Sequence, residues 1–406
     1  MTSARRVLID VSRLIDPRLA QTGIARYGRE LLRHLPLVSD DQVWAVVQEP
    51  PSKCDVSNGA AISELHALVE GRLISVEAQD SFADALSILG PLSACDVFHS
   101  IHLPLPPPRL TCSASRILTV HDVLHLRRPD LYGATGVPPI QRSINSLTQG
   151  DIVLCPSDHT RADLQMVTEH PSNQMVTVPL GCKVATTIAS AASRHDITCL
   201  VQSAPRKHGH AVLTSLTQVL ADRQRMGGPP VVGHVFTPNV RAGMVHNAIS
   251  AARINPSLIN VVVNAEDEVI RNALARSRAF LWGSEYEGFG LPVLEAMAHG
   301  TVPVLAPNSS HIAVAGDSGA YAPVPDSKSL TEILHRVLND AVYAEQLSKR
   351  AVQRARMHSW RKTAERTVRA YASASRLKVD QASTSRRASD RFAHCETGGR
   401  SEQRAY

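Results

Sequence analysis

Apolar positions along the chain fall into short runs separated by stretches of helical spacing. The runs at 7–11, 43–48, 73–76, 96–100, 116–121, 151–155 and 175–178 read as strands, and helical periodicity between them is clearest over 24–35. A second series starts near Asp196. Its predicted strands are 197–202, 231–236, 259–263, 279–282 and 302–305, with helices at 211–223, 269–277, 292–298 and 330–338. Apolar runs that alternate with helices mark largely parallel sheets covered on both faces. The predicted fold class is therefore α/β, with two doubly wound, Rossmann-like domains. Ligands of such sheets bind beyond the carboxyl ends of the strands, which here means a cleft between the two halves.

The predicted domain boundaries are 1–180 and 196–355, joined by an Ala-, Thr- and Ser-rich linker at 181–195. The proline-rich stretch 104–109 and the pair Pro138-Pro139 read as loops. The tail 376–406 carries Ser, Arg, Gln and Gly with few apolar residues, and reads as disordered and basic.

Composition narrows the partners. At 406 residues the chain exceeds a comfortable single core. No run of about 18 apolar residues occurs, so no transmembrane helix is predicted. The apolar stretch near the N-terminus is too short for a signal peptide. Seven scattered cysteines form no C-x-x-C pair, which fits a reducing cytoplasm better than a disulfide framework or a zinc site. A net charge of +6 suits phosphorylated substrates or an anionic membrane surface. An aromatic fraction of 4%, without interleaved basic and aromatic residues, argues against nucleic acid.

The chemistry concentrates at 284–300, SEYEGFGLPVLEAMAHG. Glu287 and Glu295 stand eight positions apart across the turn Gly288-Phe289-Gly290-Leu291-Pro292. A buried strand precedes the turn and a helix follows it, with Pro292 at the helix start and Gly300 at its stop. Free N–H groups at such a helix start receive anions. Taken alone, Glu287 reads as a loop glutamate and Glu295 as a residue complementing the helix dipole. Arg206 and Lys207 follow the strand 197–202. They have the chemistry to hold a diphosphate, although alone they read as surface cations. Glu266-Asp267-Glu268 reads as a helix cap. Gly23 stands before the helix 24–35, and His121 follows a strand. Each has an ordinary structural reading.

The phrase EGFGLPVLEAMAHGTVPVLAP resembles the E-x7-E segment of retaining glycosyltransferases of the GT-B fold, family 4 (glycosyl transferases group 1). Weaker similarities extend to about Ser375: Thr22 to Tyr27, His121-Asp122, Ser157 to Thr160, Val178 to Gly181, Pro205 to Lys207, and Ser359-Trp360 with the segment to Tyr371. The resemblance implies two facing domains and a crossover helix at 356–375 that returns to the first domain. It implies that Arg206 and Lys207 hold the leaving diphosphate, Glu287 the donor sugar and Glu295 the ribose. Gly23, Gly288, Phe289, Gly290 and Leu291 would line the donor, and His121 would touch the transferred sugar. No cofactor or metal is implied. The donor is a nucleoside diphosphate sugar, with GDP-mannose suggested by TGIARYGRELLRHL, and the acceptor a glycan or lipid-linked saccharide. The implied location is the cytoplasm, peripheral at the inner face of the plasma membrane. Departures occur in Val201-Gln202-Ser203-Ala204, where the family usually carries a Gly, and at His208 and Ala313, where Asn and Glu are common. They support an alternative, a non-catalytic GT-B binding or scaffold subunit. A nicotinamide-dependent dehydrogenase is set aside, because no G-x-G-x-x-G follows the first strand.

Overall fold

In a computed structural model of the chain, the described residues are 4–15, 22–48, 56–76, 95–102, 105, 114–131, 137–202, 204–227, 229–238, 242–252 and 254–397. The first sheet contains β1 (Arg6–Asp10), β2 (Gln42–Gln48), β3 (Leu73–Val76), β4 (Val97–Ser100), β5 (Ser115–Thr119), β6 (Ile152–Cys155) and β7 (Met175–Thr177). Its strands are parallel and run in the order β3-β2-β1-β4-β5-β6-β7. The second sheet contains β8 (Asp196–Leu200), β9 (Gly233–Thr237), β10 (Ile259–Val263), β11 (Ser277–Leu281), β12 (Val302–Leu305) and β13 (Ala320–Tyr321). It too is parallel, in the order β10-β9-β8-β11-β12-β13. Strands such as β6 and β12 are buried at every position, which is why their sequences read as continuous apolar runs.

Helices α1 (Gly23–His34), α2 (Val56–Leu68), α3 (Leu124–Arg127), α4 (Val137–Asn145) and α5 (Asp158–Gln165) belong to the first half. The second carries α6 (Gly209–Met226), α7 (Ala242–Ala252), α8 (Asp267–Arg276), α9 (Leu291–Ala298), α10 (His311–Ala315), α11 (Ser327–Asn339) and α12 (Ala341–Ala355). The last helix, α13 (Trp360–Thr397), leaves the second half and packs on α1 and β5 of the first. Its Tyr371 is fully buried and shares a hydrogen bond of 2.9 Å with Nδ1 of His99 on β4. Nε2 of His99 pairs with Oγ1 of Thr119 at 2.8 Å, and Tyr27 on α1 meets the same hydroxyl at 3.1 Å. This buried polar chain ties the last helix to the first sheet. Its members are paired, so burial leaves these groups without the penalty of an unmade hydrogen bond, about 1–3 kcal/mol each.

Four sequence expectations change. The tail 376–406 was expected to be disordered, but α13 continues through Thr397. No Pro or Gly interrupts 360–397, and Gly398-Gly399 follow directly. A stretch without breakers sustains a helix despite its polarity. Pro138-Pro139 lies in the first turn of α4 instead of a loop, since proline fits where the N–H groups have no helical partner. The second sheet gains β13, whose two residues are too short to give a periodic signal. Glu266 stands at the N-cap of α8, but its side chain makes no capping hydrogen bond. The expected loop at 104–109 lies outside the described residues except for Leu105.

The segment between the sheets is packed at both ends. At Gly181 an added Cβ would fall 2.1 Å from the backbone nitrogen of Trp360. The buried Arg194 donates to the carbonyls of Ser277 at 3.1 Å and His299 at 3.0 Å, fastening the end of this segment to the second sheet.

Candidate active site

Strand order reverses between β1 and β4 in the first sheet and between β8 and β11 in the second. Crevices open at the carboxyl ends of strands at such points. The loop after β8 carries Arg206 and Lys207 in a single 3-10 turn, Pro205–Lys207. The loop after β11 carries Glu287. Topology thus brings together residues 80 positions apart.

The Lys207 ammonium is hydrogen-bonded to Oε1 of Glu287 and sits 4.6 Å from the ring centroid of buried Trp282. Arg206 Nη1 approaches the same oxygen at 3.6 Å and donates to the Tyr286 carbonyl at 2.5 Å. Ser309 Oγ accepts from the backbone N–H of Glu287 at 3.0 Å, which fixes the peptide carrying the carboxylate. Burial pushes the Glu287 carboxyl up, but Lys207 and then Arg206 outweigh it and hold the group below the usual glutamate value. Burial draws the Lys207 ammonium below the usual lysine value against the pull of Glu287. The result is an ionised carboxylate flanked by two cations in a poorly solvated turn.

Gly290 closes this turn at φ +102°, a left-handed conformation that glycine adopts without penalty, and serves as N-cap of α9. Ser310 Oγ donates to the Phe289 carbonyl at 2.6 Å, tying the start of α10 to the turn. Pro292 has no N–H and the Val293 N–H donates to the Gly290 carbonyl at 3.0 Å, so the Leu291 N–H marks the anion-favouring end of α9.

The first domain closes on this turn. At Gly288 an added Cβ would fall 1.8 Å from the carbonyl oxygen of His121, so only glycine fits. Ser157 and Thr160, at the start of α5, donate to the Gly288 carbonyl at 2.6 and 2.9 Å. Gly23 stands opposite α9, where its Cβ position would be 3.3 Å from Leu291 Cδ1. The His121 ring donates from Nε2 to the Ile101 carbonyl at 2.9 Å and packs edge-on to Tyr27. Burial holds His121 below the usual histidine value, so it is a neutral group near pH 7.

Arg206, Lys207, Glu287, Gly288, Phe289, Gly290 and Leu291 form one contiguous site, with Gly23 and His121 against it. Glu295 stands apart from the Lys207–Glu287 pair. It is ion-paired with Arg26 of α1, which also pairs with Asp267 at the start of α8. Asp267 therefore serves a contact between domains more than a cap.

Sequence reading did not select Tyr286, Asp163, Arg26 or Trp282. Tyr286 lies inside the diagnostic motif, but nothing in the sequence places its hydroxyl against Asp163 of α5, to which it donates. An open cavity of about 640 Å³ adjoins the Arg206 turn, lined by Ala204, Pro205, His208, Gly209 and Met244. Arg206, Lys207 and Glu287 are not among its lining residues.

Two parallel α/β domains facing each other across a cleft are the architecture of the GT-B class. Residues 247–356 match the family model of Glycosyl transferases group 1. The chain is 25% identical over 375 residues to the O-antigen chain mannosyltransferase B of Escherichia coli, covering 86% of this chain and 96% of that protein. Anabaena HepE, crystallised with UDP and glucose, superposes with a TM-score of 0.67 at 12% identity, covering 91% and 100% of the two chains. WaaG, a glycosyltransferase involved in lipopolysaccharide biosynthesis, gives 0.61 at 14% identity, covering 89% and 98%. These two likenesses establish the fold. The chain thus has the GT-B fold and carries a Glycosyl transferases group 1 domain at 247–356. Among the described residues no helix is long and apolar enough to cross a membrane.

Proposed function

We propose that the protein is a retaining, metal-independent hexosyltransferase that moves mannose from GDP-mannose to a glycan or lipid-linked saccharide. The pathway is assembly of a surface polysaccharide such as an O-antigen or lipopolysaccharide. The observation that carries this reading is the ionised Glu287 between Lys207 and Arg206, on a glycine turn that both domains enclose.

The diphosphate of the donor takes Arg206 and Lys207. As the bond from the anomeric carbon to the phosphate oxygen breaks, its electron pair stays on that oxygen, the acceptor hydroxyl oxygen bonds the anomeric carbon from the same face, and the acceptor proton passes to the departing phosphate. The two cations and the start of α9 are already in place to receive the charge. Glu287, released from its ion pair, accepts hydrogen bonds from sugar hydroxyls, and Glu295 accepts those of the ribose. Phe289, Gly290 and Leu291 offer backbone N–H groups. Gly23 and the neutral His121 close the sugar end from the opposite domain. The mannose assignment draws support from the mannosyltransferase of which the chain covers 96%. The net charge of +6 supports a cytoplasmic enzyme that visits an anionic inner membrane face.

The test is incubation with a panel of radiolabelled nucleotide sugars, reading slow release of free sugar. GDP-mannose is expected to turn over fastest. A second reading, a non-catalytic binding subunit, is favoured by Gln202 and Ala313. Calorimetry with nucleoside diphosphates separates the two, since binding of none of them selects the second.

A further inference from the structure

Residues 285–288 carry an unusual density of contacts to the facing domain. The Tyr286 hydroxyl is hydrogen-bonded to Asp163 Oδ2, and the Tyr286 ring is buried. Asp163 is itself buried and accepts from Arg127 Nε at 3.2 Å, while His159 Nε2 lies 3.3 Å from it without a hydrogen bond. The His159 ring also meets the Tyr286 ring edge-on at 5.3 Å. Glu285 accepts from Arg128 at 2.9 Å, and the Gly288 carbonyl accepts from Ser157 and Thr160. Positions 285, 286 and 288 are thus each bonded to the first domain. Glu287, between them, is bonded to its own domain through Lys207.

We propose that Asp163, acting through Tyr286, is a positioning residue that holds Glu287 at the donor sugar. The inference rests on the reading of Glu287 as the sugar-binding carboxylate. A displacement of that carboxylate near 1 Å is enough to cost about 100-fold in rate. Lys207 pulls the carboxylate toward the phosphate end. Tyr286, on the adjacent residue, anchors the backbone to α5 of the other domain. Burial first, and then Asp163, raise the Tyr286 hydroxyl well above the ordinary tyrosine value, so it stays protonated and donates. The donor site is therefore complete only while α5 is docked on the turn.

Tyr286→Phe and Asp163→Asn test this with GDP-mannose or whichever donor the panel selects. Each should lower kcat at least tenfold, while nucleoside diphosphate affinity by calorimetry stays within twofold, because Arg206 and Lys207 hold the diphosphate. The double variant should be no slower than the worse single variant, since both remove one interaction. A lowered melting temperature with kcat unchanged, or two losses that multiply, would overturn the proposal. Glu287→Gln separates the two levels. If it retains transfer, the reading of the sugar carboxylate fails. If it abolishes transfer while Tyr286→Phe keeps wild-type kcat, only the role of Asp163 and Tyr286 fails.

Discussion

Arg26 of the first domain is ion-paired with Glu295 of the second, the carboxylate that the family resemblance assigns to the ribose. Both side chains are about a quarter exposed, 28% and 27%, so the pair is partly screened. An ion pair of this kind contributes about 0.2–1 kcal/mol. A ribose that takes Glu295 displaces the guanidinium. Arg26→Gln is therefore expected to tighten binding of GDP or UDP by up to about fivefold in calorimetry. Weaker binding would mean that Arg26 contacts the nucleotide itself.

Gly288 is the tightest point between the domains. A methyl group there would meet the His121 carbonyl at 1.8 Å. Gly288→Ala should force α5 and the β5–α3 loop off the turn. Overpacking of this kind costs about 1–3 kcal/mol, and the contact most easily surrendered is the one between domains. The expected result is at least a tenfold loss of transfer with far-ultraviolet circular dichroism unchanged and a larger radius of gyration in solution scattering.

Most of the sheet architecture was legible because parallel strands buried on both faces leave continuous apolar runs, as at Val7 to Ile9 and Phe280 to Trp282. The Glu287 turn was legible because glycine and proline punctuate it. The contacts that complete the site were not. Asp163 reaches Tyr286 over 123 positions, and Arg26 reaches Glu295 only because two separate sheets face each other. A one-dimensional pattern records which residues face a core. It does not record which side chains two domains bring opposite one another. The extent of α13 was missed for another reason: polarity alone suggested disorder, where the absence of Pro and Gly allowed a helix.

Buried neutral histidines make the fold sensitive to acid. Burial lowers His99 to about 3 from an ordinary value of 6.5, and His102 likewise to about 3. A histidine with a lowered folded value binds its proton first in the unfolded chain. Stability is then full above about pH 6.5 and is lost as the pH falls toward the folded value, by up to about 1.4 kcal/mol per pH unit for each group. The melting temperature should drop between pH 7 and pH 5, and His99→Gln should shrink that drop even if it lowers the value at pH 7. An identical pH slope in the variant would refute this assignment.

Tyr371→Phe removes the hydroxyl that pairs with His99 and leaves a buried ring nitrogen unpaired. The expected cost is about 1–3 kcal/mol in denaturant unfolding, with GDP affinity unchanged. A change in nucleotide affinity of more than twofold would show that docking of α13 reaches the site.

The central claim is that ionised Glu287, held between Lys207 and Arg206, meets the donor sugar. Glu287→Gln keeps the shape and removes the charge. Loss of its charge leaves Lys207 unpaired, so the melting temperature should fall, and the comparison is made at a temperature where both proteins are folded. The measurement is the single-turnover rate of sugar transfer from GDP-mannose. The account predicts a loss of about 100-fold or more with nucleoside diphosphate binding retained. Transfer at the wild-type rate would contradict it.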